Sequence, residues 1–229
     1  MASLAQLLAH HDCILALDAA SAETQVGLLR RAGPPVWHRS TEEAGKSLFK
    51  LTDACLQETG LRLAAVQAFL FCAGPGSMLG IRTAAMALRT WQALGPRPVY
   101  RYESLALLAR ELASAGHPAP FSVIADARRD TWHTVTVDAT GRVLPLQRVP
   151  SAELSARPET LWQPTAFRAW SQLPRAASDC SYDIAAILAR HPDADWFEPT
   201  DAPDAFQHEA PDYKKWSAQV HSAATAPRK

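Results

Sequence analysis

The order of apolar runs and helical stripes predicts an α/β protein built from two related α/β half-domains. Three observations carry this. The elements read β-β-β-α-β-α and then β-α-β-β-α, a theme stated twice. Two aliphatic strands each end at an aspartate before a polar turn, "CILALDAA" at 13–20 and "VIADARRD" at 123–130. A glycine-rich strand-to-helix turn, "CAGPGSMLGIR" at 72–82, sits between the apolar run "VQAFLF" and "TAAMALRTWQAL".

Taken in order, "CILALDAA", "TQVGLLRRAG" and "PVWHRS" predict a meander of three strands over 13–40. A helix is expected over 47–59, because Leu48, Leu51, Cys55 and Leu56 form one apolar stripe and Gly60 follows as a C-terminal cap. "AAVQAFLFCAG" predicts the fourth strand, and 78–94 the second helix, stopped at Gly95-Pro96. "RPVYRYES" reads as a strand, and "SLALLARELASAG" as a helix capped by Ser104 and closed by Gly116. "FSVIADARRD" opens the second block, followed by a hairpin over 131–149 with "DATGR" at its tip. "SAELSA", "TAFRAWSQL" and "YDIAAILARH" are expected short helices, and the Pro- and Asp-rich stretch from Pro192 is expected to wrap the surface. The boundaries are then an N-terminal extension at 1–12, a first half at 13–116, and a divergent second half with a C-terminal tail at 117–229.

Composition narrows the function. The 229 residues are 48% hydrophobic, enough for a sizeable core, and carry 23 basic and 23 acidic side chains. No global field draws in nucleic acid, so any role on RNA needs a local patch or a partner that supplies the charge. The four cysteines, Cys13, Cys55, Cys72 and Cys180, form no CxxC pair and suit a reducing compartment. No apolar run approaches the ~20 residues of a membrane span, and the N-terminus lacks signal-peptide character, so the expected location is cytoplasmic, with no membrane contact.

Gly74, Gly76 and Gly80 allow close backbone approach, Pro75 fixes one φ, and Ser77 can cap the helix that follows. Such a helix N-terminus suits a phosphate. No Lys-Ser/Thr pair follows, so the P-loop reading fails, and the turn taken alone favours tight packing. Asp18, Ser21 and Thr24, and again Asp126 and Arg128, occupy the places where actin-like and sugar-kinase ATPases have phosphate hairpins. Both lack the glycine of Asp-x-Gly. Turn-capping at strand ends and a ligand role weigh about equally for the two aspartates. The eight histidines form neither HxxxH nor HExxH, so no metal is expected. There is no G-x-S-x-G nucleophile elbow.

"ILALDAASAETQVGLL", "GPGSMLGIRTAAMAL", "VIADARRDTWHTV" and a late "PDYKKW" together resemble the bacterial TsaB (YeaZ) family. The family's glycine-turn pattern is matched at Gly74, Pro75, Gly76, Ser77, Gly80 and Arg82, and its D-A-R at Asp126, Ala127 and Arg128. Met78-Leu79 stand where an aromatic-Thr pair is usual, and Ala44-Gly45 where a His-Ser or His-Thr opens the first helix. The resemblance implies the actin-like ATPase (ASKHA) fold, no catalysis and no cofactor. It implies a TsaD-like catalytic paralogue as partner, which transfers threonylcarbamoyl to adenosine 37 of tRNA, and only indirect tRNA contact through that complex. It also implies a homodimer of the isolated chain and a shared partner surface on the helices flanking the fourth strand. Leu48, Phe49, Leu51, Leu79 and Met86 are the interface candidates. The expected helix 78–94 is apolar nearly all round, which predicts a second buried face and self-association of the isolated chain; the alternative is cover of that face by the C-terminal segment. Rival functions are a small-molecule kinase or glycoprotease-like hydrolase of the same fold, or a self-associating scaffold.

Overall fold

A computed structural model describes residues 1–205. The chain opens with helix α1 (Leu4–His10), started by a capping box in which Ser3 Oγ accepts from the Gln6 amide and the Gln6 side chain accepts from the Ser3 amide. Its apolar face, Leu4 and Leu7, is buried.

Two sheets follow. The first contains β1 (Cys13–Asp18), β2 (Thr24–Arg30), β3 (Val36–Ser40), β4 (Ala68–Gly74) and β5 (Val99–Glu103). The second contains β6 (Phe121–Asp126), β7 (Thr131–Val137), β8 (Gln147–Pro150), β9 (Thr160–Pro164) and β10 (Ser178–Cys180). The first is ordered β5-β4-β1-β2-β3 and the second β10-β9-β6-β7-β8. In each, the opening strand is antiparallel to the next, which is antiparallel to the third, while the fourth and fifth run parallel to the opening strand's direction. The same topology therefore occurs twice, the actin-like (ASKHA) arrangement that the sequence predicted.

The first sheet is covered by α2 (Ala44–Thr59) and α3 (Met78–Leu94) on its outer face. Strand β4 supplies both faces by alternation: Phe69, Phe71 and Ala73 pack under the two helices, while Ala68, Leu70 and Cys72 face the interior. Helix α4 (Ser104–Ser114) lies between the sheets, and the interior core runs without a break from Ile14 and Leu70 through Leu105 and Leu108 to Phe121, Val123 and Val135. Among the described residues, the second sheet's outer face is covered by α5 (Ser151–Ala156) over Ile124, Trp132, Val149, Leu154 and Leu161. The last described helix, α6 (Ile184–Arg190), returns to the interior core through Ile184, Ile187 and Leu188.

Several expectations need correction. Helix α2 begins at Ala44, three residues before the expected start, because the Glu43 carbonyl already accepts from the Lys46 and Ser47 amides. Ser104 does not cap α4; its hydroxyl turns inward to the Pro75 carbonyl. The helix expected at "TAFRAWSQL" is absent, and that segment is irregular between β9 and β10. The stretch after Pro192 does more than wrap the surface. Phe197 is fully buried, its backbone pairs with Ala2, and β11 (Glu198–Pro199) adds a strand to the edge of the first sheet beside β5. The "PDYKKW" motif lies outside the described residues.

Candidate functional site: the cleft between the two halves

A cleft of about 660 Å³ opens between the sheets, lined by the β1–β2 turn, the glycine turn, the start of α2, the β6–β7 turn and the segment 167–170. It brings together Ser21, Thr24, Gly76, Ser77, Gly80, Asp126 and Arg128. Gly74, Pro75, Asp18 and Arg82 do not line it: the first three are buried behind the wall, and Arg82 is exposed on α3.

The glycine turn is built for contact with the β1–β2 turn. Gly76 has φ +151, and a Cβ there would lie 2.2 Å from the Ala20 carbonyl oxygen. A Cβ on Gly80 would lie 2.2 Å from the Ala19 oxygen. The Ser77 amide donates to Ala20 O at 2.7 Å, and Ser77 Oγ caps α3 through the Gly80 amide at 3.3 Å. The two turns thus pack backbone against backbone, a spacing that only glycine permits.

The aspartates cap turns in parallel ways. Asp18 Oδ1 accepts from the Ala20 amide at 3.0 Å, and Asp126 Oδ1 from the Arg128 amide at 2.6 Å, both two residues on. The other oxygens diverge. Asp18 Oδ2 accepts the hydroxyls of Tyr102 and Tyr182, each at 2.6 Å, in a fully buried setting. Asp126 Oδ2 accepts the Trp170 amide at 2.6 Å and the Ser171 amide. Burial pushes the Asp18 carboxyl up, with the hydrogen bonds from Tyr102, Tyr182 and Ala20 only partly opposing it. At Asp126 burial also pushes up, but the amides of Ser171, Arg128 and Trp170 outweigh it and hold the carboxyl below its usual range.

Several donors of the cleft turns have partners within the chain. The Ala22 amide donates across the cleft to Ala166 O at 2.7 Å, and Ser21 Oγ closes a local turn with Glu23. The Arg128 guanidinium stacks on Trp170, 4.3 Å from the ring centroid, and Arg128, Arg129 and Asp130 all hold positive φ, between 52 and 66. Glu42 and Glu43 add acid to the rim opposite Arg168.

Sequence reasoning missed Phe167, Arg168, Trp170 and the Thr41–Ala44 stretch as cleft residues. Among the described residues no group of three or more His, Cys, Asp or Glu side chains is arranged for a metal. All four cysteines are free and buried; burial pushes Cys55 up to about 11 and Cys180 to about 12, which keeps both as unreactive thiols at neutral pH.

Of the interface candidates, Leu48 is fully buried under α2 against the first sheet, so it presents nothing to a partner. Leu51 is half-buried on the same core. Phe49, Leu79 and Met86 are exposed, at 47%, 61% and 56%. No described helix is long and apolar enough to cross a membrane.

A family model described as TsaD, tRNA N6-adenosine threonylcarbamoyltransferase, matches residues 39–147. No curated protein sequence matches the chain. Among solved structures, YeaZ from Pseudomonas aeruginosa superposes with a TM-score of 0.60 at 22% identity, covering 78% of this chain and 89% of that one. A protein from Pseudomonas aeruginosa described as similar to peptidase YeaZ gives a TM-score of 0.59 at 21% identity over the same shares. The glycine turn and Asp126-Ala127-Arg128 both fall inside the stretch matched by the family model, and the two solved structures share the chain's fold.

Proposed function

We propose that this protein is a non-catalytic, cytoplasmic subunit that binds a TsaD-like paralogue and supports its transfer of threonylcarbamoyl to adenosine 37 of tRNA. The observation that supports the non-catalytic part is the internal pairing of donors in the cleft turns: the Ala22 amide of the first hairpin is taken by Ala166 O, the Arg128 amide of the second by Asp126 Oδ1, and the Ser77 amide of the glycine turn by Ala20 O. The match of residues 39–147 to the TsaD family model supports the place in tRNA modification. The tRNA is met through the complex, since the chain's own charge is balanced.

The partner surface is the outer side of α2 and α3. Phe49 on α2 packs edge-on to Trp91, with ring centroids 6.1 Å apart, yet stays half exposed, and Leu79 and Met86 on α3 are exposed as well. Apolar side chains displayed this way find a partner, either a second copy in a two-fold dimer or the paralogue. The test is a pull-down with the host's TsaD followed by a tRNA modification assay, using Phe49→Lys and Leu79→Asp. Both variants are expected to fold, to lose the dimer and to lose TsaD. Retained TsaD binding in both variants refutes this surface. ATP turnover above a blank by the isolated protein, abolished by Asp126→Ala, refutes the non-catalytic reading.

A further inference from the structure

The cleft walls of an actin-like fold are connected through the strand ends and interior helices, and here that connection carries a buried polar cluster which the proposed function does not use. Asp18 and Gln25, on neighbouring strands of the first sheet, both reach the segment between β10 and α6. Asp18 Oδ2 accepts from the Tyr182 hydroxyl at 2.6 Å while also accepting from Tyr102 of its own half. Gln25, fully buried, donates through Nε2 to Tyr182 O at 3.2 Å and accepts through Oε1 from the Ile184 amide at 3.1 Å. One side-chain amide thus satisfies a donor and an acceptor of the other half's backbone.

Around this pair the contacts continue. The Phe167 and Tyr182 rings meet edge to face at 5.1 Å. Arg39 on β3 pairs with Asp183 at 2.5 Å, and the Ala22 amide reaches Ala166 O. The interior core passes through the same region from Ala16 and Cys72 to Tyr182 and Ile184.

We propose that Asp18, Gln25 and Tyr182 form a lock that joins the two halves into one body, so that the cleft does not open and close on a nucleotide. Rotating the halves apart strips a hydroxyl from a fully buried carboxylate and leaves the Gln25 amide, Tyr182 O and Ile184 N–H unpaired in the core. Buried groups of this kind are held strongly because water does not replace the lost partners. The strand-end aspartate Asp18 thus lies behind the cleft wall, in the joint between the halves.

The lock is tested on the full-length protein by amide hydrogen exchange and small-angle scattering, with and without Mg-ATP. In the wild type, scattering is expected to be unchanged by Mg-ATP. Tyr182→Phe, which removes one hydroxyl and keeps the ring, is expected to speed exchange at Ile184 and Ala22 by about tenfold or more while leaving the interior amides of β4 unaffected. Asp18→Ala is the stronger break, and Tyr182→Phe keeps the test valid if that variant does not fold. Compaction of the wild type on Mg-ATP, or unchanged exchange at Ile184 and Ala22 in Tyr182→Phe, overturns the proposal.

Discussion

The two halves share strand order and direction but not their cover. In the first half, α2 and α3, of 16 and 17 residues, seal the outer face of the sheet over Leu15, Val26, Phe69, Phe71 and Leu88. In the second, a six-residue α5 and an irregular segment occupy the corresponding places over a much smaller cluster. The irregular segment is where α3 would recur, between the fourth and fifth strands. There the Trp170 and Ser171 amides donate to the Asp126 carboxylate. The second half therefore holds the same strand topology without a long helix in the place of α3 among the described residues. Among the described residues, the helices of the first half display Phe49, Leu79 and Met86, whereas the exposed large apolar side chains of the second half, Trp170 and Leu173, lie on the irregular segment.

This contrast can be broken most severely at the glycine turn. Gly76→Val places a side chain into the Ala20 carbonyl at positive φ, and a loss of about 4 kcal/mol or more is expected in urea unfolding. A small change there would mean that the first half's turn is as tolerant as the second half's. The matching probe in the second half is Gly141→Ala, at φ +81 with open space around it, where a melting curve should report about 1 kcal/mol from backbone strain alone.

The paired aspartates give opposite pH signatures. Asp126 has a depressed folded value, so its contribution is present above the unfolded range near ~3.9 and is lost as pH falls through the folded value. The stability gap between wild type and Asp126→Asn should shrink on acidification. Asp18 has a raised folded value, so its carboxyl favours the folded state most below ~3.9 and loses that advantage as pH rises through the folded value. Wild type should gain on Asp18→Asn as pH falls. Parallel slopes for the two variants, read from urea midpoints across pH, would erase the distinction. The smallest expected effect on stability is at Phe49→Lys, within about 0.5 kcal/mol, against about 2–5 kcal/mol for its buried neighbour Leu48→Ala.

Much of the first half was legible from residues alone. The β1 and β4 runs are long and aliphatic, α2 ends at Gly60 in the left-handed conformation, and α3 spans Met78–Leu94 as its pattern required. The opening aspartates and the glycine turn also located the cleft, because strand ends and turns converge at one edge in such a fold. Local pattern has no purchase on β9, β10 and β11, which have five, three and two residues and exist because a neighbouring strand supplies their partners. Nor does it reach the difference between Leu48 and Phe49, adjacent in sequence and opposite in exposure, or the depth of Asp18 against Asp126. Periodicity and turn chemistry act over a few residues, so the sequence determined the elements and their order. Burial, the pairing of Asp18 with Tyr182 164 positions away, and the bond from the Ala22 amide to Ala166 O depend on distant segments meeting, and only the tertiary structure decided them.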